Sequence, residues 1–294
     1  MYNLKKCALC GADTGLELSH IIPKMAIRTL KKTAISGIRS TESPNKSVQD
    51  SEKHYMLCGN CEDLFSKNET WFANNLFHPY LKKEKTLFNY DERLAYFITS
   101  VNWRSLYLDI LDFVENNVIG IDALECLISS EKVMNDYLQN KRSDLGSIEN
   151  HIFFFDEIQE LSGDIGEISK LRPHASFHRG ITSFTSCYEE QKTYGTISNM
   201  MGIVLITLYN KGKEEKWENS KVINGIGSIE ARNQNIKSAM GNDFIYIMRT
   251  AQEASESMSE AQQKKVLDKI KRVGEEVKKY PVYKDWMDDN GLIK

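Results

Sequence analysis

Cys7-Ala-Leu-Cys10, then Leu18-Ser19-His20-Ile21-Ile22-Pro23-Lys24, then Cys58-Gly-Asn-Cys61: these three stretches decide how the chain is read. Two C-x2-C pairs, separated by 47 residues, supply four thiolates. That is the donor set of a closed tetrahedral zinc site. Gly11, Gly15 and Gly59 stand beside the pairs, where knuckle turns require positive φ. A metal that closes the intervening chain offsets the conformational entropy of a small, loop-rich module. Four sulfurs leave no open position for water, so this ion is expected to be structural. His20, between the pairs, is then free for other chemistry.

Working outward, Leu16-Glu17-Leu18 alternates apolar and polar as a short strand does, and Pro23 breaks the pattern. Residues 36–52 are rich in Ser, Asn, Gly and Pro and read as a loop. Between Ile21 and Gln49 six basic residues face one acid, Glu42. Lys24, Arg28, Lys31 and Lys32 are candidates to hold nucleic-acid phosphates; the plainer alternative is a solvated loop. After Cys61, Leu64, Phe65, Trp71, Phe72 and Leu76 recur at helical spacing, and Pro79 is expected to end that helix. Glu62 and Glu69, seven apart, share one of its faces.

The 294 residues accommodate about two domains. A net charge of -3 excludes a basic footprint over the whole molecule. Cys126 and Cys187 stand alone and read as packing, not as part of a secreted disulfide framework. Met1-Tyr2-Asn3-Leu4-Lys5-Lys6 leads straight into the first knuckle, and no apolar run approaches about 18 residues. The expectation is a soluble cytoplasmic protein with no membrane contact.

Asp91 and Glu92 open a helix carried by Leu94, Phe97, Ile98, Val101, Leu108 and Leu111. Gly120 punctuates, Ile121 to Asn140 reads as a second helix, and the polar stretch 141–149 as a boundary. From His151 the texture becomes β-rich: 152–155, 177–188, 193–198 and 200–209 predict an antiparallel sheet, with turns near Gly212 and Gly225–Gly227. Residues 229–280 are expected to be helical, with 262–279 on the surface. In Pro173-His174-Ala175-Ser176-Phe177-His178-Arg179-Gly180, two histidines four apart would suit a metal on a helix, but the Pro, Phe and Gly context predicts loop-to-strand. The fold class is α+β: a zinc module over 1–80, a helical connector over 81–148 and an antiparallel sheet with flanking helices over 149–294. The last part is expected to sense a ligand, recognise substrate, or bind a protein partner or a second copy of the chain. No P-loop, G-x-S-x-G elbow or H-E-x-x-H motif is present.

The pattern Cys7-x2-Cys10, Leu18-Ser19-His20-Ile21-Ile22-Pro23, Leu57-Cys58-x2-Cys61 resembles the zinc-stabilised branch of the HNH (ββα-metal, treble-clef) endonucleases over about residues 5–70. The resemblance implies metal-dependent hydrolysis of phosphodiester bonds, in DNA rather than RNA. His20 would be the general base, with a magnesium or manganese ion at the phosphate. It also suggests bacterial restriction or antiphage defence. Ser19, Lys53 and Glu62 stand where the family carries metal ligands or their Asn and His equivalents. Glu62 and Glu69 would then rebuild a carboxylate site, with His54 as a further candidate. The alternative is a zinc module that binds nucleic acid or a protein without cutting.

Overall fold

The computed structural model describes residues 4–162 and 171–292, so Met1–Asn3 of the leading segment lie outside it. The fold is α+β with the cysteines clustered at its N-terminal end. Strands β1 (Leu16–His20) and β2 (Lys53–Cys58) pair antiparallel, Leu16 opposite Cys58 and His20 opposite Lys53. Pro23 ends the first strand, as its pattern predicts, and it also starts helix α1 (Lys24–Thr33). A ring that fixes φ and lacks an N–H is well suited to a helix start. Ala26, Ile27 and Leu30 are buried, whereas Lys24, Arg28, Lys31 and Lys32 are exposed. The loop that follows contains one short pairing, Ile38–Arg39 with Ser47–Val48.

Helix α2 (Gly59–Phe72) begins at the second knuckle, as expected. It does not stop at Pro79. A π turn over Ala73–Phe77 and a helical turn over His78–Leu81 carry the chain past it. Pro79 then lies in the first turn of a new segment, where its missing N–H costs no internal hydrogen bond.

Two long helices follow, α3 (Glu92–Asn116) and α4 (Ile121–Leu138). Asp91 caps α3, accepting the Arg93 N–H at 3.0 Å. From Leu94 to Leu108 α3 is buried nearly all round, because it lies between α2 and α4 on one side and the main sheet on the other. That sheet contains β3 (Glu149–Phe154). Helix α5 (Pro173–His178) precedes strands β4 (Ile181–Tyr188), β5 (Thr193–Met200), β6 (Ile203–Asn210) and β7 (Lys221–Val222). The strand order is β7–β3–β6–β5–β4 and every pairing is antiparallel, in line with the sequence reading.

Both faces of the sheet are covered. Ile152, Phe154, Ile203 and Leu205 pack into the cluster that includes Phe97 and Val101 of α3. Phe153, Val204, Ile206 and Leu208 pack against Phe244, Ile245 and Met248 of α6 (Gly241–Glu256). Burial on both sides explains why Ile203-Val-Leu-Ile runs apolar without alternation. A polar thread is buried beneath α3. Asn102 donates to Thr207 Oγ1 at 2.7 Å, Thr207 to Asn150 at 2.8 Å and Asn150 to Thr99 Oγ1 at 2.9 Å. Each member is satisfied, so the thread fixes the seating of α3 without an unpaired polar group.

Two further segments differ from the sequence reading. Residues 173–178 are helical, not loop-to-strand. Residues 229–237 are largely extended, not helical: Gly227–Glu230 pairs with Leu87–Tyr90, and Gln234–Lys237 pairs with Lys216–Glu218 and Ile158–Leu161. Helix resumes with α6, then α7 (Glu260–Val273), which has no buried residue, and α8 (Pro281–Leu292). One apolar cluster joins Ile27 and Phe72 from the N-terminal part, Phe97 from the helical part and Phe154 from the sheet. Among the described residues no helix is long and apolar enough to cross a membrane.

Candidate functional site: a four-cysteine cluster and the histidine hairpin

Each knuckle delivers its sulfurs from a different strand of the hairpin, and both sit at the same end, where Leu16 faces Cys58. Cys7 and Cys10 lie in turns before β1, and Cys58 and Cys61 span the end of β2 and the first turn of α2. The four sulfurs lie within 4.8 Å of one another. Cys10 Sγ and Cys58 Sγ are 3.7 Å apart, and Cys7 Sγ accepts the Cys58 N–H at 3.3 Å. All six cysteines are free thiols, so no disulfide competes for them.

The electrostatics of the cluster call for a cation. Burial raises the Cys7 thiol, but the N–H groups of Cys10, Cys58 and Leu9 outweigh it and bring the pKa down to about 7. Burial and the neighbouring sulfurs push Cys61 strongly the other way. Four sulfurs this close cannot all ionise unless a positive charge sits among them. The cluster can therefore hold a zinc ion in a structural, closed site.

At the far end of the same hairpin sits His20, and its side chain is 15% exposed. Its Nε2 lies 3.0 Å from Asp50 Oδ1. Asp50 is also paired with Lys53 at 3.1 Å and accepts the Ser51 N–H at 3.1 Å. Burial alone would raise the Asp50 carboxyl, but His20 and Lys53 overcome it and hold the pKa at about 2. This carboxylate stays charged and fixes the imidazole. Asp50 was not a sequence candidate. It lies at the end of the polar loop 36–52, and only the pairing of His20 opposite Lys53 brings it to the ring.

Arg104, from the middle of α3, locks the hairpin from below. It is 1% exposed, donates to the His20 carbonyl at 2.7 Å and pairs with Glu69 at 2.8 Å. Its guanidinium also lies over the Phe65 ring, 5.3 Å from the centroid. Glu69 is thus engaged by an arginine. Glu62 is different: its Oε1 is buried with no hydrogen-bond partner. His54, opposite Ser19 on β2, pairs with Glu52 at 2.7 Å.

The exposed face of α1 carries Lys24, Arg28, Lys31 and Lys32, and Lys31 donates to the Gln49 carbonyl at 2.9 Å, next to Asp50. The sequence reading did not bring α7 to the basic segment 24–46. Arg39 lines an open groove with Lys265, Lys269 and Arg272 of α7. Asn45 anchors α7 there, accepting from the Ser259 N–H at 2.8 Å and the Gln262 side chain at 3.0 Å. Searches against family models, curated proteins and solved structures return no match for this chain.

Proposed function

We propose that the chain is a metal-dependent endonuclease of HNH type, hydrolysing phosphodiester bonds in nucleic acid, with DNA the favoured substrate. The observation that carries this reading is the His20–Asp50 pair on a hairpin whose other end holds the four-cysteine cluster. When Nε2–H donates to Asp50, Nδ1 keeps the lone pair that accepts a proton from water. Asp50 remains ionised beside the ring and stabilises the imidazolium that results. Arg104 holds the backbone of His20 and so keeps the ring in place. Lys24, Arg28, Lys31 and Lys32 neutralise flanking phosphates, and the groove at Arg39 and α7 extends that path.

Magnesium or manganese would supply charge neutralisation at the scissile phosphate. Glu62 Oε1 is the unpartnered carboxylate oxygen, at the cysteine end of the hairpin in the first turn of α2, whereas Glu69 is already paired with Arg104. The direct test is nicking of supercoiled plasmid in magnesium and in manganese. Wild type is expected to cut, and His20→Ala to retain its zinc and lose cutting by at least about 100-fold, the scale of a lost general base. Equal cutting by both proteins would remove His20 from the chemistry.

The engagement of Glu69 favours one other reading, a zinc module that grips nucleic acid without cleaving it. Wild type would then bind duplex DNA with a salt dependence set by the α1 lysines and would leave plasmid intact under either metal.

A further inference from the structure

Helix α5 brings together residues that lie far apart in the sequence. His174 and His178, four apart, project from one face of it, and Asp156 reaches them from the turn after β3. Asp156 Oδ1 lies 3.4 Å from His174 Nδ1 and 3.1 Å from His178 Nε2. All three donor atoms fall within 4.8 Å of one another. Two donors each bound at 2.0–2.1 Å to one tetrahedral ion stand about 3.3 Å apart, close to both separations. His174 Nδ1 is buried and makes no hydrogen bond; the Asp156 carboxylate at 3.4 Å is the group it faces.

The surroundings are those of a metal ligand set. His178 Nδ1 donates to Asp285 Oδ1 at 2.8 Å, which leaves Nε2 as the ligand atom. The Asp285 side chain is 6% exposed, and its Oδ2 has no partner. One turn further along α8, Asp289 accepts the backbone N–H groups of His174 and Ala175 at 2.9 and 3.0 Å. Two carboxylates of α8, four residues apart, therefore fix the helix and the ring of α5. On the other side the Phe155 ring meets both imidazoles edge-on, at 6.0 and 5.9 Å. Gly202 admits the His178 ring, since a Cβ there would lie 2.6 Å from His178 Cδ2.

We propose that Asp156, His174 and His178 form a second metal site, for a divalent first-row transition ion, with Asp285 and Asp289 of α8 as its positioning residues. Two imidazoles and one carboxylate select zinc, cobalt, iron(II) or manganese over magnesium or calcium. Three protein ligands leave at least one position open, unlike the sulfur cage. This site is independent of the nuclease reading.

Titration of metal-stripped full-length protein with cobalt(II) tests the proposal. Wild type is expected to take up two equivalents tightly, apart from any weak uptake at Glu62. One gives the intense sulfur-to-cobalt absorption of the cysteine cluster, and the second leaves that band unchanged. Asp156→Asn should lose only the second equivalent, and Glu62→Ala should retain both. Wild type also gives a readout that no misfolded variant can obscure. Cobalt at this site shifts two imidazole N–H protons far outside the normal proton range, and they exchange in D2O as cysteine β protons do not. A single equivalent in wild type, or a second one lost with Glu62→Ala and kept in Asp156→Asn, would overturn the assignment. Absence of exchangeable shifted protons at saturation would do the same.

Discussion

The cysteine cluster and the Asp156–His174–His178 cluster are both sets of donors converging on a point, but the chain builds them by opposite means. The sulfurs come from two C-x2-C knuckles at one end of a single hairpin, so each pair is visible as local spacing, and Gly11 takes the positive φ the first knuckle needs. The second cluster needs a turn after β3, a six-residue helix and the last helix of the chain to meet. Its geometry depends on tertiary contacts, as when Asp289 caps α5 from 115 residues away. Donors that share a supersecondary motif are visible as spacing; donors assembled by packing are not.

The largest effect expected from breaking this contrast is at the sulfurs. Cys58→Ser should abolish structural zinc, a binding free energy of about 10 kcal/mol in small zinc modules, and unfold the hairpin. Elemental analysis and circular dichroism check it. Disrupting Asp156 should leave the melting of the main sheet unchanged, because that cluster lies at a periphery held by other contacts.

Arg104 joins the hairpin to α3. Arg104→Met strands Glu69 and the His20 carbonyl and should cost about 3 kcal/mol in urea unfolding, the usual scale for removing one partner of a buried pair. Adding Glu69→Gln should recover part of that loss, since the uncompensated charge disappears.

Acids in the two halves, the half-buried Asp50 and the buried Asp243, respond to pH with opposite signs. Asp50 is held down to about 2 by His20 and Lys53, so its contribution is present above about pH 4 and is lost as pH falls through 2. Asp243, in the first turn of α6, is pushed up to about 6 by burial, with Ser186 and Tyr188 hydroxyls donating at 2.7 and 2.8 Å. Its proton is held more tightly in the folded state, so stability falls as pH rises from about 4 to 6 and is then level. The loss is up to about 3 kcal/mol. Asp243→Asn should flatten that decline in denaturation curves, and Asp50→Asn should flatten the acid limb instead.

The smallest effect belongs to the cap. Asp289→Ala frees two N–H groups of α5 and should cost about 1 kcal/mol in thermal unfolding. It should also weaken cobalt binding at the second cluster by about 10-fold while sparing the sulfur site.

Much of the framework was legible from local pattern. Strand β1, α2, α3, α4 and the antiparallel sheet follow from alternation, helical spacing and glycine punctuation, whereas β2 carried no local signal that was read. Helix α1 was hidden because Pro23 serves both as a strand stop and as a helix start. The run at 229–237 was hidden because its strands pair with Leu87–Tyr90 and Lys216–Glu218, contacts that no local window contains. At the candidate site the four cysteines and His20 stood out by spacing. Asp50 and Arg104 did not, because one sits in a featureless polar loop and the other inside a long helix, far in sequence from the hairpin it locks. Asp289 explains the misreading of 173–178: a loop-like sequence becomes helical when a distant carboxylate caps it.

The central claim is that an ion in the sulfur cage holds the hairpin that presents His20 and Asp50. Amide hydrogen exchange before and after zinc removal tests it most directly. The account predicts about one bound zinc at the cysteines and, once it is stripped, exchange at least about 100-fold faster in 16–20 and 53–58 with β3 to β6 unaffected. Protein that binds no zinc there, or a hairpin equally protected with and without it, would contradict the account.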